Sequence, residues 1–562
     1  MKISQSNNIR IAGTASSSEI VCDRVFKYYK QYRGLCGSAL VGPSLNNGNG
    51  AIMGLHVAGN NANGLGYAEP LYREMFEQLF KDFPEVIVPE DTFQECEEEP
   101  EFELDTNVMT YGCVPAKFAH KESGKSKIIP SLLHGSIYEV KTEVNPLRPN
   151  DPRQPPGSHP LRDGCLKHGS GDVRPFKMDL IDKTVDHMTT RFCQIVKPIR
   201  TKVEPLTYQQ AVCGDISVPY FEALNWNSSE GFPLSSHRPS GVHDKKWLFN
   251  LKDTKDGYSL KSFNPILNNQ LAARDKCFRE GIKPPTIYID CLKDYRLTPE
   301  KCAMPGKTRI FSIAPVQCSI DIRRHLGDFC ASIKNTRIVN GIGIGINPDS
   351  LEWTALVSYL FEVGDKIITL DYKNYGPCLM SQVVEASNRV IYAWHKFHIA
   401  ENRETLPSLA HLDRVKWLLN NDILNPVHLA GNVVYQTLNG IASGSPLTGE
   451  CNSIPNLMYI RLTYLEIMSD HMPEWATLFY FESFVRIVVY GDDLIMSVDD
   501  KIVNIFNALS IRDYLEKHGI AVTPAAKSSE MVPYTSIYEA TFLKRSFREH
   551  PYRTGVWLAP IE

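Results

Sequence analysis

Hydrophobic residues in the C-terminal half follow two spacings, one typical of strands and one typical of helices. Lys366–Tyr372 is a mostly apolar run of seven residues, which predicts a buried strand. Leu447–Met468 carries large apolar residues three or four positions apart, which predicts a helix. A second helix is predicted over Asp500–His518, with Gly519 as its stop signal.

Between these helices, two further apolar runs predict a hairpin. Phe484–Tyr490 and Leu494–Val498 have the composition of strands, and a short Gly-Asp-Asp turn connects them. The order along the chain is therefore strand, helix, hairpin, helix. This order predicts an α+β fold with helices on one face of a sheet.

Composition adds few constraints. The chain has 562 residues, of which 43% are apolar and 22% charged, as in an ordinary globular protein. No apolar run is long enough to cross a bilayer. The 14 cysteines are scattered without a Cys-x-x-Cys pair, which argues against a structural zinc site and for reduced thiols.

Acidic residues are concentrated in one stretch near the N-terminus. Glu90 to Asp105 holds nine acids and no base, and the formal net charge of −4 would be +5 without them. Like charges repel, so we predict a solvated linker over residues 90–111. It separates residues 1–89 from residues 112–562. A mildly basic larger part is compatible with a polyanionic partner.

Three acidic residues are candidates for metal binding. Asp371 ends a predicted buried strand, and Asp492 and Asp493 form the hairpin turn 121 residues later. A Gly-Asp-Asp turn also suits an ordinary hairpin without any ligand. If the strands are neighbours, however, these carboxylates meet at one end of the sheet. Carboxylate oxygens are the ligands that Mg²⁺ prefers.

Two other groups of residues suit a nucleotide. Ser443-Gly444 forms a flexible loop before a helix, and Thr448 and Asn452 share one face of that helix, where they could bind ribose hydroxyls. A plain helix cap is the alternative. Closely spaced bases could surround a triphosphate, or could form a solvated charged face. These bases are Lys293, Arg296, Lys301, Lys307 and Arg309.

The order of these motifs resembles that of the RNA-dependent RNA polymerases of picornavirus-like, insect-virus-type positive-strand RNA viruses, over about residues 112–550. Further segments match in the same order. They are Gly124–Ser131 and Asn150–Arg153 for the index finger, Ser228–Pro233 for template entry, Thr523–Ser528 for a loop with a proton-donating lysine, and Phe542–Arg545 for the primer-grip hairpin.

The resemblance implies a right-hand polymerase with palm and fingers that copies RNA by two-metal nucleotidyl transfer. It assigns two Mg²⁺ ions, or Mn²⁺, to Asp371, Asp492 and Asp493. It assigns proton donation to Lys527. The residues implied in nucleotide binding are Lys293, Lys307, Arg309, Ser443, Thr448 and Asn452. Gly376 stands where relatives commonly have a second Asp, so ribose recognition should depend on Ser443, Thr448 and Asn452.

The N-terminal part carries a second resemblance. Gly34–Ser38 followed by Gly54–Gly59 is similar to the chymotrypsin-like cysteine proteases of the same viruses, although two glycine turns in a β-rich segment would look alike. The resemblance makes Cys36 the nucleophile and places His56 in the substrate pocket. No histidine precedes Cys36, so the general base is missing. We expect residues 1–89 to be an inactive, β-rich half-barrel remnant.

Only 17 residues follow Arg545, whereas the family carries a helical thumb there, so we expect a partial polyprotein with most of its thumb missing. The implied partners are RNA template and primer, NTPs, a protein primer and other viral replication proteins. The implied location is the host cytoplasm at membrane-associated replication complexes, without a transmembrane segment in this chain. A reverse transcriptase, or an uncleaved precursor that mainly binds viral RNA, are the alternatives.

Overall fold

The structure is a computed structural model that divides the chain into two compact units, Met1–Pro89 and Glu90–Glu562. The residues that it describes are 3–11, 20–29, 39–43, 50–60, 65–72, 74–75, 98–104, 108–136, 139–169, 173–401, 406–524 and 530–561.

The first unit is an antiparallel sheet with the strand order β1-β2-β5-β4-β3. Its strands are β1 (Ile3–Ile11), β2 (Ile20–Tyr29), β3 (Ala39–Pro43), β4 (Gly50–Asn60) and β5 (Leu65–Pro70). Val25, Tyr28, Leu40 and Ala68 are buried between these strands. The unit is β-rich as the sequence predicts, and its assignment to a protease stays a prediction.

The second unit contains the remaining strands and helices. Its strands are β6 (Met109–Cys113), β7 (Glu143–Val144), β8 (Phe249–Thr254), β9 (Gly257–Phe263), β10 (Ile287–Leu292), β11 (Arg296–Leu297), β12 (Ile310–Ile313), β13 (Lys366–Tyr372), β14 (Val427–Ala430), β15 (Val433–Gln436), β16 (Val485–Tyr490), β17 (Asp493–Val498), β18 (Val522–Pro524), β19 (Thr541–Phe542), β20 (Arg545–Ser546), β21 (Arg548–Glu549) and β22 (Trp557–Leu558). Its helices are α1 (Pro160–Cys165), α2 (Met178–Ile195), α3 (Tyr208–Cys213), α4 (Pro265–Glu280), α5 (Pro299–Cys302), α6 (Val316–Asn335), α7 (Glu352–Leu360), α8 (Tyr375–Cys378), α9 (Ser381–Glu401), α10 (Leu406–Leu418), α11 (Thr448–His471), α12 (Leu478–Phe484) and α13 (Ala508–Lys517).

The sheet that carries the predicted carboxylates has the order β16-β17-β13-β18 and is antiparallel throughout. The predictions of a strand over Lys366–Tyr372 and of a hairpin around Gly-Asp-Asp are confirmed. Gly491 turns the hairpin with a φ of +65°, a left-handed conformation that suits glycine. Apolar side chains on this sheet, such as Leu370, Val489 and Leu494, belong to the largest core of the unit.

Helix α11 lies within that core, and the prediction of a helix over Leu447–Met468 is confirmed. It is buried on nearly every face, because α2, α9, α13 and β16 all pack against it. The apolar residues that predict it are all buried: Ile454, Leu457, Ile460, Tyr464 and Leu465.

The prediction of a helix over Asp500–His518 is correct only for its second half. Residues 500–507 form turns, and α13 begins at Ala508. Asn507 caps this helix, because its side chain accepts hydrogen bonds from the N–H groups of Leu509 and Ser510. The apolar spacing continues through the turns because Ile502 and Phe506 are buried in the same core.

A second sheet has the order β12-β10-β14-β15-β6, with β10 and β14 parallel. Strand β6 and residues 98–104 come from the segment that the acidic composition predicts to be a solvated linker. Phe102 and Val108 are buried here, and Asn432 binds the backbone of Glu99 and Glu101. The described acids of this stretch, Glu98, Glu99, Glu101 and Glu103, are exposed, and the solvated linker stays a prediction, while Phe102 and Val108 anchor the chain to the sheet.

Among the described residues, the helices are all too short or too polar to cross a membrane.

Candidate active site

The strand register brings two of the predicted carboxylates to neighbouring positions. Leu370 of β13 pairs with Leu494 of β17, so Asp371 and Asp493 are the next residues at the same end of the sheet. Asp492 immediately precedes Asp493 in the hairpin turn. Asp492 is exposed, whereas Asp371 and Asp493 are half-buried.

The three carboxylates also interact electrostatically. Burial raises the pKa of Asp493 to about 6, and the negative charges of Asp492 and Asp371 add to this increase. Hydrogen bonds from the N–H groups of Leu543 and Leu494 lower the pKa of Asp493 and partly offset this increase. The donor set consists of hard carboxylate oxygens whose charges repel one another, and such a set fits a divalent cation such as Mg²⁺.

Helix α11 fixes the backbone of the hairpin turn. Ser453 Oγ accepts a hydrogen bond from the N–H of Gly491 (2.9 Å), and Asn456 Nδ2 donates to the Gly491 carbonyl (2.9 Å). Asn456 Oδ1 accepts from the Tyr372 hydroxyl (2.9 Å), next to Asp371. One buried amide therefore connects the two strands that carry the carboxylates. Its spacing of four residues from Asn452 was the available sequence signal for this role.

Asn452 lies on the same helix face, close to the turn. Its side-chain Oδ1 is buried and has no hydrogen-bond partner among the described residues. Its backbone carbonyl accepts a hydrogen bond from the hydroxyl of Tyr375 (2.7 Å). A buried acceptor without a partner is costly, so this oxygen is suited to a hydroxyl donor from a ligand.

The loop before α11 docks on strand β12. Ser443 Oγ accepts a hydrogen bond from the N–H of Ser312 (2.9 Å). Gly444 approaches so closely that a Cβ atom there would lie 1.9 Å from the Ser312 carbonyl oxygen, which requires glycine. The Thr448 hydroxyl lies within hydrogen-bond distance of the carbonyls of Ser443 and Ser445 (2.9 and 2.7 Å). Thr448 therefore already serves to hold this loop.

The three bases implied in nucleotide binding, Lys293, Lys307 and Arg309, lie on neighbouring backbone segments. The N–H of Lys293 donates to the carbonyl of Arg309 (2.9 Å), which extends the β10–β12 pairing by one step. Lys293, Lys307 and Arg309 are exposed, while Thr308 between the last two is buried. Within the described part of the chain, none of the three bases forms an ion pair. Arg296 differs, because its guanidinium donates to Thr142.

Sequence reasoning missed Lys167, which faces the same basic group. Its pKa is lowered by burial and further by the charges of Lys307 and Arg309. A Cβ atom on Gly306 would lie 3.5 Å from Lys167 Cε. Nothing in its local sequence marks this lysine, since 140 residues separate it from Lys307.

The predicted primer-grip hairpin touches the carboxylate group directly. The Leu543 N–H donates to Asp493 Oδ2 (2.6 Å). Leu543 and Lys544, which connect β19 and β20, both have positive φ angles, of 55° and 58°. Asp493 thus holds the backbone of a tight turn as well as lying beside Asp371.

Of the three remaining predicted residues, the structure describes only His56. Lys527 and Cys36 lie outside the described residues. His56 lies in β4 and is buried, and its Nδ1 is hydrogen-bonded to the Tyr28 hydroxyl. Burial lowers the pKa of this histidine.

Comparison with known proteins identifies the class of protein that this sheet and its carboxylates define. The family model described as viral RNA-dependent RNA polymerase matches residues 170–559. The chain belongs to the viral RNA-dependent RNA polymerase family, whose members synthesise RNA on an RNA template.

Relatives include the genome polyprotein of deformed wing virus, 39% identical over 551 residues, which cover 97% of this chain and 18% of that polyprotein. The replicase polyprotein of Drosophila C virus is 26% identical over 534 residues, covering 89% of this chain and 28% of the polyprotein. The chain thus spans less than a third of either relative. The Sicinivirus 3Dpol RNA-dependent RNA polymerase has a similar fold, with a TM-score of 0.64 and 22% identity over 81% of this chain and 84% of that chain.

Proposed function

We propose that this chain carries out template-directed RNA synthesis by nucleotidyl transfer from NTPs at the end of the β16-β17-β13-β18 sheet. The observation that carries the proposal is the register that brings Asp371 beside Asp493 at the Asp492–Asp493 turn. The family assignment supports RNA as the product, against a reverse transcriptase, which would make DNA on the same RNA template.

In this proposal Asp371 and Asp492 are the main metal ligands, and Asp493 assists them. Two Mg²⁺ ions bound there would activate the primer 3′-hydroxyl and stabilise the charge on the departing pyrophosphate. Asn456 and Ser453 keep the turn rigid, so that the carboxylates are held in place before substrate arrives.

The exposed bases Lys293, Lys307 and Arg309 are proposed to hold the triphosphate, since charge-assisted contacts to phosphate are strong. Asn452, with its buried and unpartnered Oδ1, is proposed to accept a hydrogen bond from a ribose hydroxyl.

Ser443 and Thr448 belong to the same proposed site. The Thr448 hydroxyl is engaged by the loop, so we assign it to positioning the loop and Ser443. Lys527 remains a proposed proton donor to pyrophosphate, on the sequence resemblance alone.

The proposed partners are RNA template, primer and NTPs, which follow from the polymerase class. A protein primer and other viral replication proteins are expected from the resemblance to picornavirus-like viruses. We propose replication in the host cytoplasm, at membrane-associated complexes. The protease remnant and the shortened thumb also stay proposals.

The test is primer extension by the Asp492→Asn variant. We expect extension to fall by more than about 100-fold, because losing even an outer-shell partner of a metal costs about 10- to 100-fold. RNA binding in a filter assay should change little. The matched control is Asp253→Asn, an exposed acid in β8 that should leave extension unchanged.

Unchanged extension by Asp492→Asn would remove this residue from the mechanism. Wild-type chain should extend RNA primers on RNA templates with ribonucleotides and fail with DNA templates and deoxynucleotides. Incorporation of deoxynucleotides in place of ribonucleotides on an RNA template would indicate a reverse transcriptase, and RNA binding without extension would indicate the precursor.

A further inference from the structure

A group of three metal-ligand side chains lies on the second sheet, apart from the carboxylates described above. His120 and Glu122 come from an extended segment that follows β6, and Cys291 comes from β10. Their ligand atoms all lie within 4.8 Å of one another. His120 Nε2 is 3.2 Å from Cys291 Sγ and 3.8 Å from Glu122 Oε1.

Contacts from the surrounding backbone hold two of these residues in place. The N–H of His120 donates to the carbonyl of Gly431 (2.8 Å). Glu122 Oε1 accepts a hydrogen bond from the N–H of Leu292 (2.8 Å), the residue after Cys291. An outer-shell hydrogen bond of this kind orients a carboxylate ligand without using all of its lone pairs. The side chains therefore converge because their backbones are fixed.

The chemistry of the three atoms selects the metal. An imidazole nitrogen, a thiolate sulfur and a carboxylate oxygen are the ligands that Zn²⁺ takes, at about 2.0 to 2.3 Å in tetrahedral geometry. Tetrahedral ligands at those lengths lie about 3.3 to 3.6 Å apart. The 3.2 and 3.8 Å separations fall on either side of that range, and the third, between Cys291 Sγ and the Glu122 carboxylate, is within 4.8 Å, so the carboxylate has to move towards the other two atoms for all three to bind one ion. Mg²⁺ is a poor match because it avoids sulfur.

The group also has room for a fourth ligand. A cavity of about 500 Å³ is lined by His120 and Glu122, and by Glu98, Glu101 and His159. His120 and Glu122 face this cavity while Cys291 is buried behind them, so a metal held by the three would keep a coordination position open to water. The lining carries the acids Glu98, Glu101 and Glu122 beside the bases Lys121 and Arg148, so the choice of a cation depends on the three ligand atoms and not on the charge of the cavity as a whole.

We propose that His120, Glu122 and Cys291 form a zinc site that ties the extended segment to strand β10. Lys293, two residues after Cys291, belongs to the basic group proposed to hold the triphosphate. A bound metal would therefore restrain the end of β10 from which that lysine projects. Such a site escapes a search for Cys-x-x-Cys pairs, because 171 residues separate His120 from Cys291.

The experiment measures zinc retained by the full chain after stripping with a chelator, reloading with zinc and desalting in buffer with excess Mg²⁺, which occupies the carboxylate site. Wild-type chain should retain one equivalent of zinc more than Cys291→Ala or Glu122→Gln. The glutamine keeps an acceptor for the Leu292 N–H and is a weak zinc ligand. Cys213→Ala, at a half-buried cysteine of α3, is the control and should retain the wild-type amount.

Cobalt substitution gives a readout independent of activity. Wild-type and Cys213→Ala chains loaded with Co²⁺ should show the near-ultraviolet thiolate-to-cobalt charge-transfer absorption, and Cys291→Ala should lose it. Zinc should raise the melting temperature of wild type and leave that of Glu122→Gln unchanged. Equal zinc contents in wild type and Glu122→Gln, without a charge-transfer band, would overturn the proposal and leave an S–H···N hydrogen bond as the role of Cys291.

Discussion

Single residues in this site differ in what their side chains already do before substrate binds. Asp492 is exposed, whereas the carboxylate of Asp493 accepts the N–H of Leu543 in the β19–β20 turn. Thr448 holds a loop, while Asn452 offers a buried oxygen without a partner among the described residues. Residue type alone therefore assigns these side chains to one group, and the hydrogen bonds of Asp493 and Thr448 show that these two also support the local backbone.

At Asp493, we expect alanine and asparagine to have different effects on stability. Asparagine can still accept the Leu543 N–H, whereas alanine leaves it unpaired at a cost of about 1–3 kcal/mol. Thermal unfolding without divalent cations should place Asp493→Asn above Asp493→Ala by about that free energy. Equal melting temperatures would mean that this hydrogen bond contributes nothing to stability.

At the basic group, we expect Lys307→Ala to raise the KM for NTPs by about tenfold or more. A hydrogen bond to a charged partner contributes about 1.5–3 kcal/mol, and Lys307 is exposed without an ion-pair partner among the described residues. Lys301→Ala, which removes an exposed lysine of α5, is the control and should change KM less than twofold. Steady-state extension on a fixed RNA template measures both, and similar KM values for the two variants would argue against a triphosphate contact.

At the scale of elements, the sequence was sufficient for β13, β16, β17 and α11, whereas β18, the fourth strand of the sheet that carries the three carboxylates, was not predicted. The predicted strand Lys366–Tyr372 agrees with β13 at both ends. A short apolar run with polar residues at its boundaries fits a buried strand better than a helix, which needs a longer run. The start of α13 was missed because Ile502 and Phe506 keep helical spacing while packing from turns. Lys167 and the docking of Ser443 on Ser312 were missed because these contacts join residues more than a hundred positions apart.

A packed histidine cluster between helices predicts a pH dependence of stability. His395 of α9 and His411 of α10 are buried and His325 of α6 is half-buried, and the Nδ1 atoms of His325 and His411 are 3.0 Å apart. Burial lowers their pKa values to about 3, 4 and 2, respectively. The other charged or titratable groups that act on them are Asp321, which raises the pKa of His325, and Arg200, Arg324, Arg414 and His398, which lower the pKa values in the cluster.

These histidines are neutral in the folded protein and become charged in the unfolded chain below about pH 6.5. The unfolded chain then binds more protons, so the free energy of unfolding falls as the pH drops from 6.5 towards 4. Each histidine should account for about 2 kcal/mol at pH 5. We expect His395→Leu to reduce the difference in unfolding free energy between pH 8 and pH 5 by about that amount. His134→Gln, at an exposed histidine, should not change it, and an equal pH dependence in His395→Leu would contradict the assignment.

At the scale of the whole molecule, composition indicates the boundary near residue 90 but not where the packed part of the second unit begins. The nine acids predict solvation on average, yet Phe102 is buried and β6 pairs with β15. The average charge of a stretch cannot identify the few apolar residues within it that pack against the sheet. The same limit applies to the proposed zinc ligands, which the chain brings together from β10 and a distant segment.

This packing predicts where the chain can be cut. A protease needs an extended backbone that is free of sheet pairing, and β6 is paired with β15. We expect limited proteolysis to separate the two units without cleavage in residues 98–104 or 109–113. Intact-mass measurement of the larger product identifies its first residue. Early cleavage within β6 would show that this strand opens readily.

If the chain is processed from a polyprotein, cleavage would then leave the β12-β10-β14-β15-β6 sheet unchanged, including Lys293 at the end of β10. A cut upstream of Glu98 would leave in place the contact in which the Asn432 amide holds the backbone of Glu99 and Glu101. The processed enzyme and its longer precursor would present the same β10. Any difference in their rates of RNA synthesis would therefore have to arise elsewhere than in β10 and the strands that pair with it.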